Sequence, residues 1–132
     1  MDDAAWHLLL QAAKAASRHA YCPYSGFAVG AAVQSADGRV FVGCNVENAS
    51  YGLAVCAERN AMFHAVAAGA REIVALALYT PTPVYATPCG ACRQVLLEFG
   101  ANAEVLCVCD GADRGRFTAS SLLPHAFTLA TP

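Results

Sequence analysis

The chain has 132 residues, enough for one domain around one core and too few for two. Eight basic residues stand against ten acidic ones, for a formal charge of −2, and the seven arginines and Lys14 are scattered, so no electrostatic footprint for a nucleic-acid duplex or an anionic membrane is present. Apolar residues make up 57% of the chain and charged residues only 14%, which predicts that copies of the chain cover part of one another's surface.

Residues 3–20 carry Trp6, Leu9, Leu10, Ala13 and Ala16 at helical spacing behind an aspartate N-cap. Asp2 and Asp3 open this segment, and His7, Gln11, Lys14 and Arg18 interrupt it, so it reads neither as a secretory leader nor as a membrane span. Tyr21-Cys-Pro-Tyr-Ser-Gly26 breaks the helix. Phe27–Gln34 and Val40–Asn45 read as strands joined by the hairpin turn Ala36-Asp-Gly38. Residues 47–55 read as irregular. A helix follows over Cys56–Ala68, closed by Gly69, and then an apolar strand over Ile73–Tyr79. Beyond the prolines at 81 and 83, Cys89–Phe99 reads as a helix ended by Gly100, and residues 104–109 as a buried strand. A loop at Asp110-Gly111 leads to a short piece around Ser121–Phe127. A hairpin followed by β-α-β crossovers predicts a mixed sheet with helices on both faces, whose ligands bind beyond the carboxyl ends of strands.

Seven cysteines, at 22, 44, 56, 89, 92, 107 and 109, make an odd number without a secretory leader. A reducing compartment, the cytoplasm, is expected. Cys107 and Cys109 alternate onto one face of a buried strand and read as core. Cys44, at a strand end, and Cys22, before Pro23, read as structural. Cys89 and Cys92 lie in Pro88-Cys-Gly-Ala-Cys92 at a helix start, a two-thiolate clip whose sulfurs reach one ion and whose charge the helix terminus favours. Cys56 opens the other helix, two residues before Glu58. Three thiolates leave one tetrahedral corner open, the mark of a catalytic zinc. A structural site needs a fourth ligand, for which Cys44, His64 and His125 are the candidates.

Cys56-Ala-Glu58 together with Pro88-Cys-Gly-Ala-Cys92 resembles the signature of zinc-dependent nucleoside and nucleobase deaminases. Pro23-Tyr-Ser-Gly-Phe27, Gly43-Cys-Asn-Val-Glu-Asn-Ala49, Cys56-Ala-Glu-Arg-Asn-Ala61, Cys92-Arg-Gln94 and Leu122-Leu-Pro124 with Phe127 extend the match. Over most of the chain the pattern is similar to the small homotetrameric cytidine deaminases. The resemblance implies one catalytic domain over residues 1–132, an α/β fold in the form of a three-layer α/β/α sandwich on a mixed five-stranded sheet. It also implies one zinc ion per subunit held by Cys56, Cys89 and Cys92, and hydrolytic deamination of cytidine and deoxycytidine in pyrimidine salvage. No nucleic acid and no membrane is expected as a partner.

Zinc brings the pKa of a bound water toward about 7, and Glu58 is the residue expected to move protons between that water, ring N3 and the leaving amine. The resemblance gives Arg59 the role of hydrogen-bonding the zinc thiolates, which draws charge from sulfur. It sets the Ala57 N–H against the pyrimidine O2, and the Thr87 carbonyl and Pro88 ring beside the leaving ammonia. Asn45 and Glu47 resemble the pair that holds the ribose 3′-hydroxyl, and the Glu47 charge disfavours nucleotides. Phe27 matches the aromatic position against the base, Phe127 a ring contributed by a neighbouring subunit, and Ala49 and Tyr51 weaker contacts near the 5′-hydroxyl. His125 receives no role.

Two rival readings remain. The blasticidin-S deaminases share the cysteine patterns but lack the full Asn-x-Glu-Asn segment found at 45–48. A non-enzymatic zinc module predicts a closed four-ligand site and indifference to Glu58.

Overall fold

A computed structural model describes residues 1–130. Helix α1 (Asp3–Ser17) begins where the Asp2 carboxylate accepts the Ala5 N–H at 2.8 Å, and it buries Trp6, Leu9, Ala13 and Ala16 along one stripe. Strands β1 (Gly30–Ser35) and β2 (Val40–Cys44) form the expected hairpin. Helix α2 (Ala57–Ala67), strand β3 (Ile73–Tyr79), helix α3 (Gly90–Gly100), strand β4 (Glu104–Val108), strand β5 (Arg114–Thr118) and the short helix α4 (Ala119–Leu122) complete the chain. A single 3₁₀ turn, Tyr51–Leu53, interrupts the irregular segment before α2.

The five strands lie in the order β2-β1-β3-β4-β5, with β3 and β4 parallel and the other pairs antiparallel. Strand β3 is central and buried on both faces, which is why it is apolar throughout. Leu76 and Leu78 face α2 and α3, packing with Met62, Leu96 and Val105. Ala75, Ala77 and Tyr79 face α1, packing with Trp6, Leu9 and Ala13. The result is the expected α/β/α sandwich, with α1 in one outer layer and α2 with α3 in the other.

Gly43 sets how closely α2 approaches the sheet. A methyl group there comes within 2.3 Å of the Ala61 nitrogen and 2.5 Å of the Ala57 oxygen, so only glycine lets the start of α2 rest on β2. This contact places Cys56 and Glu58 over the sheet.

Four expectations from the sequence change in the structure. Strand β5 occupies a stretch read as loop and tail: Gly115 takes its inward position and Arg114 and Arg116 point outward, so its alternation lacks an apolar signal. Strand β1 begins at Gly30 rather than Phe27, because the Asn45 carboxamide takes the place of ladder bonds, accepting the Val29 N–H at 2.9 Å and donating to the Phe27 carbonyl at 2.7 Å. Gly100 does not cap α3 with a left-handed residue. It belongs to the helix, and it is small because a Cβ there meets the Ile73 oxygen at 2.1 Å. Gly69, by contrast, closes α2 as expected, with φ +96° and the Ala70 N–H donating back to Ala65. Finally, Cys107 is fully buried, but Cys109 lies beyond the end of β4 with its thiol against the carbonyls of Pro83, Gly111 and Asp113.

Candidate metal centre and active site

Cys56 and Cys89 are the N-cap residues of α2 and α3, and neither side chain makes a capping hydrogen bond. Their thiols therefore remain available to another partner, while the free N–H groups of the two first helical turns stay close by. Cys92 lies in the first turn of α3 and is buried. The sulfurs of Cys56 and Cys89 are 3.8 Å apart, those of Cys89 and Cys92 3.4 Å, and all three lie within 4.8 Å of one another. Tetrahedral coordination at Zn–S distances of 2.3 Å requires sulfurs about 3.8 Å apart. The cluster fits one zinc ion without rearrangement of the backbone. Among the described residues no fourth His, Cys, Asp or Glu atom joins the group, and Cys44, His64 and His125 all lie outside it. His64 instead stacks edge-on against Phe41 and sits 3.3 Å from the Val42 carbonyl.

The electrostatics favour thiolate at Cys56. Contact with the Cys92 thiol, then the Arg59 guanidinium and the Cys89 thiol, outweigh burial and hold it down to about 5. Cys92, which shares that bond and is more deeply buried, is pushed up. The Arg59 Nη2 lies 3.5 Å from Cys56 Sγ, and Arg59 Nε is buried without a partner among the described residues. The Arg59 guanidinium holds its proton more tightly in turn, chiefly through the bond to Cys56.

Glu58 is only 5% exposed. Burial, reinforced by the negative Cys56, pushes its carboxyl up to about 7, so it can both hold and release a proton near neutrality. It lines a cleft of about 210 Å³ together with Phe27, Asn45, Cys56, Ala57, Thr87 and Cys89. The floor comes from Leu78 and Thr80 at the carboxyl end of β3, with Val29 and Ala86 beside them. Sequence reading did not name these four, although the rule that ligands bind beyond strand carboxyl ends points to Leu78 and Thr80.

Glu47 lies in a neighbouring recess of about 340 Å³ with Tyr24, Ser25, Asn48, Tyr51 and Ala54, not in the cleft that holds Asn45. Its carboxylate accepts the N–H groups of Tyr24 and Ser25 at 3.0 and 3.2 Å and the Ser25 hydroxyl, and that hydroxyl is the main reason it is held below the usual carboxylate range. Asn45 and Glu47 thus both secure the backbone of residues 24–29. Pro88 is buried and does not line the cleft. Ala49 is exposed and lines neither recess. Tyr51 is 77% exposed with its ring edge toward Tyr24, and Phe127 is 69% exposed, away from both recesses.

Two side chains without an assigned role organise the surroundings. Arg93 bonds to Thr87, Pro88 and Leu122, and Gln94 Nε2 donates to the Phe127 carbonyl at 2.9 Å. Both belong to the Cys92-Arg-Gln94 motif, which was the available signal.

The chain is similar in sequence and in fold to known deaminases. The family model for the cytidine and deoxycytidylate deaminase zinc-binding region matches residues 5–109. A cytidine deaminase of Halalkalibacterium halodurans is 48% identical over 122 residues, covering 92% of each chain. The crystal structure of a cytidine deaminase from Burkholderia pseudomallei superposes with a TM-score of 0.89 at 51% identity, covering 96% of this chain and 100% of that one. One from Mycobacterium tuberculosis gives a TM-score of 0.80 at 42% identity over 98% and 100% of the two chains.

Proposed function

The chain belongs to the cytidine and deoxycytidylate deaminase family, and from that premise we propose that it hydrolyses the C4 amine of free cytidine and deoxycytidine, giving uridine or deoxyuridine and ammonia. The observation that carries this reading is a buried glutamate opening into a cleft that is lined by two of three thiols spaced for one ion, Cys56 and Cys89, with Cys92 buried behind them. Cys56, Cys89 and Cys92 would hold one zinc ion. Zinc, when bound, supplies the Lewis acidity that makes a water nucleophilic near neutral pH.

The protein's own groups do the rest. Glu58 takes the proton of the attacking water and delivers it to ring N3 as the new oxygen–C4 bond forms. It then takes the remaining proton from the new C4 hydroxyl and passes it to the exocyclic nitrogen, so that the C4–N bond breaks, the C4 carbonyl forms and ammonia leaves. Arg59 tempers the negative charge of three thiolates through its contact with Cys56. Phe27 offers an apolar wall to the base, and the Ala57 N–H, in the first turn of α2, is a donor for its carbonyl. The negative Glu47 beside the cleft repels a phosphate placed next to it on the sugar, which supports nucleosides over nucleotides. Tyr51 and Phe127, too exposed to serve the cleft of their own chain, support a homotetramer in which neighbours complete each site. Seven free cysteines support residence in the reducing cytoplasm, and no described helix is long and apolar enough to cross a membrane.

The test is direct. Zinc-loaded protein should consume cytidine and deoxycytidine with release of ammonia, followed by absorbance. Glu58→Ala should keep its zinc and circular dichroism while turnover falls about 10²–10⁴-fold. Loaded, folded protein that leaves both nucleosides intact overturns the reading, and ordinary turnover in the Glu58 variant overturns the proton-transfer role.

A further inference from the structure

Arg93 stands one turn into α3, with its backbone N–H donating to the Cys89 carbonyl at 3.0 Å. All three of its side-chain nitrogens are engaged. Nε donates to the Pro88 carbonyl at 2.7 Å, Nη2 to the Thr87 hydroxyl at 2.8 Å, and Nη1 to the Leu122 carbonyl at 2.8 Å. The ion pairs among the described residues are Arg39–Asp37 and Arg116–Glu104, so Arg93 spends its charge on neutral oxygens alone. Those oxygens belong to two segments that touch nowhere else in the hydrogen-bond network: the approach to Cys89 and the end of α4.

A flexible ammonium on a lysine stem cannot hold three acceptors in this fixed arrangement, whereas a planar guanidinium can. The consequence for the cleft is specific. Thr87 lines it, and because its hydroxyl oxygen accepts from Arg93, the guanidinium fixes how Thr87 stands in the wall and with it the direction of the Thr87 backbone carbonyl. Cys89, the next residue but one, carries the most exposed of the three sulfurs, and its position depends on the backbone that leads to it.

We propose that Arg93 is a positioning residue of the active site, clamping the Thr87–Cys89 segment to the end of α4 so that the Thr87 carbonyl and the Cys89 sulfur stand where reaction needs them. The role rests on the deaminase reading for its effect on turnover but not for its effect on the segment. The neighbouring Gln94 bond to the Phe127 carbonyl extends the same attachment along the C-terminal stretch. Misplacing groups that meet the reacting atoms lowers turnover more than substrate binding, since the lost interaction matters most at the transition state.

The experiment compares zinc-loaded full-length wild type with Arg93→Ala and Arg93→Lys, reading steady-state kinetics and amide hydrogen exchange. In Arg93→Ala, kcat should fall about 10–100-fold with KM changed less than about threefold. Exchange should quicken over residues 84–92 while β3 keeps its protection. Added guanidinium ion at low millimolar concentration should restore part of the lost turnover, and Arg93→Lys should fall between alanine and wild type. Unchanged kcat and exchange in Arg93→Ala overturn the proposal, as does a uniform loosening of the whole chain. If the alanine variant does not fold, the lysine variant decides, and wild-type kinetics and exchange there overturn the claim. If wild type itself leaves cytidine intact, the deaminase reading falls, and exchange over 84–92 still decides whether Arg93 clamps the segment.

Discussion

Arg59 reaches the cysteine cluster at the Cys56 sulfur and brings a positive charge to three groups spaced for one ion. Arg59→Gln keeps a hydrogen-bond donor and removes the charge, so it should lower turnover about 10–100-fold while zinc content stays close to one per chain. Metal analysis beside kinetics checks this, and full activity in the variant removes the role. Glu47 shows a different dependence. Its carboxylate is held below the ordinary range by the Ser25 hydroxyl and the N–H groups of residues 24 and 25. Folding therefore favours the ionised form: its contribution is present above the unfolded value near 4.3 and is lost as pH falls through the lower folded value. Thermal melts of wild type and Glu47→Gln should differ at neutral pH and converge on acidification below about pH 4. A gap between them that persists unchanged in acid contradicts that assignment.

Helix α2 carries Glu58 and Arg59 on its first turn and Cys56 as its N-cap, so the site inherits the accuracy with which α2 sits on the sheet. That seat is Gly43, where even a methyl group collides with backbone at 2.3 Å. Gly43→Ala should cost about 1–3 kcal/mol of stability through overpacking and should lower kcat more than it changes far-ultraviolet circular dichroism. Calorimetry and kinetics on the same preparation test this, and a variant with wild-type melting and turnover shows that α2 can shift without consequence. Glycine at 43 is unremarkable within a strand pattern. Only the placement of α2 against β2 reveals why it stands there. Strand β5 shows the same limit: with Gly115 inward and arginines outward, its pairing with β4 exists in the sheet but not in any local periodicity.

Taken whole, the described chain leaves Tyr21, Tyr24, Val46, Tyr51, Leu53, Phe63 and Phe127 exposed, a large apolar area for a protein with 14% charged residues. A homotetramer that covers this surface should appear as a four-chain mass by light scattering. Activity per chain should fall on dilution below the dissociation constant of the assembly, because the exposed rings then have no neighbouring cleft to serve. A monomer with undiminished turnover refutes the shared-site reading.

The reactive groups were legible before folding because they are encoded locally. A cysteine before each helix, a second one three residues on, and a glutamate two residues after Cys56 follow from helical geometry within a few residues. The two-sided burial of β3 and the placement of α1 were legible for the same reason, since periodicity records which faces meet water. The meeting of sulfurs 33 residues apart in the chain was implied only by the family resemblance, and the use of Asn45 and Glu47 to hold residues 24–29 and the link from Arg93 to Leu122 were not legible at all. These depend on which strands adjoin and how closely the helices lie on them. Side-chain volume and backbone hydrogen bonding settle that across the whole sheet at once, and no window of sequence contains it.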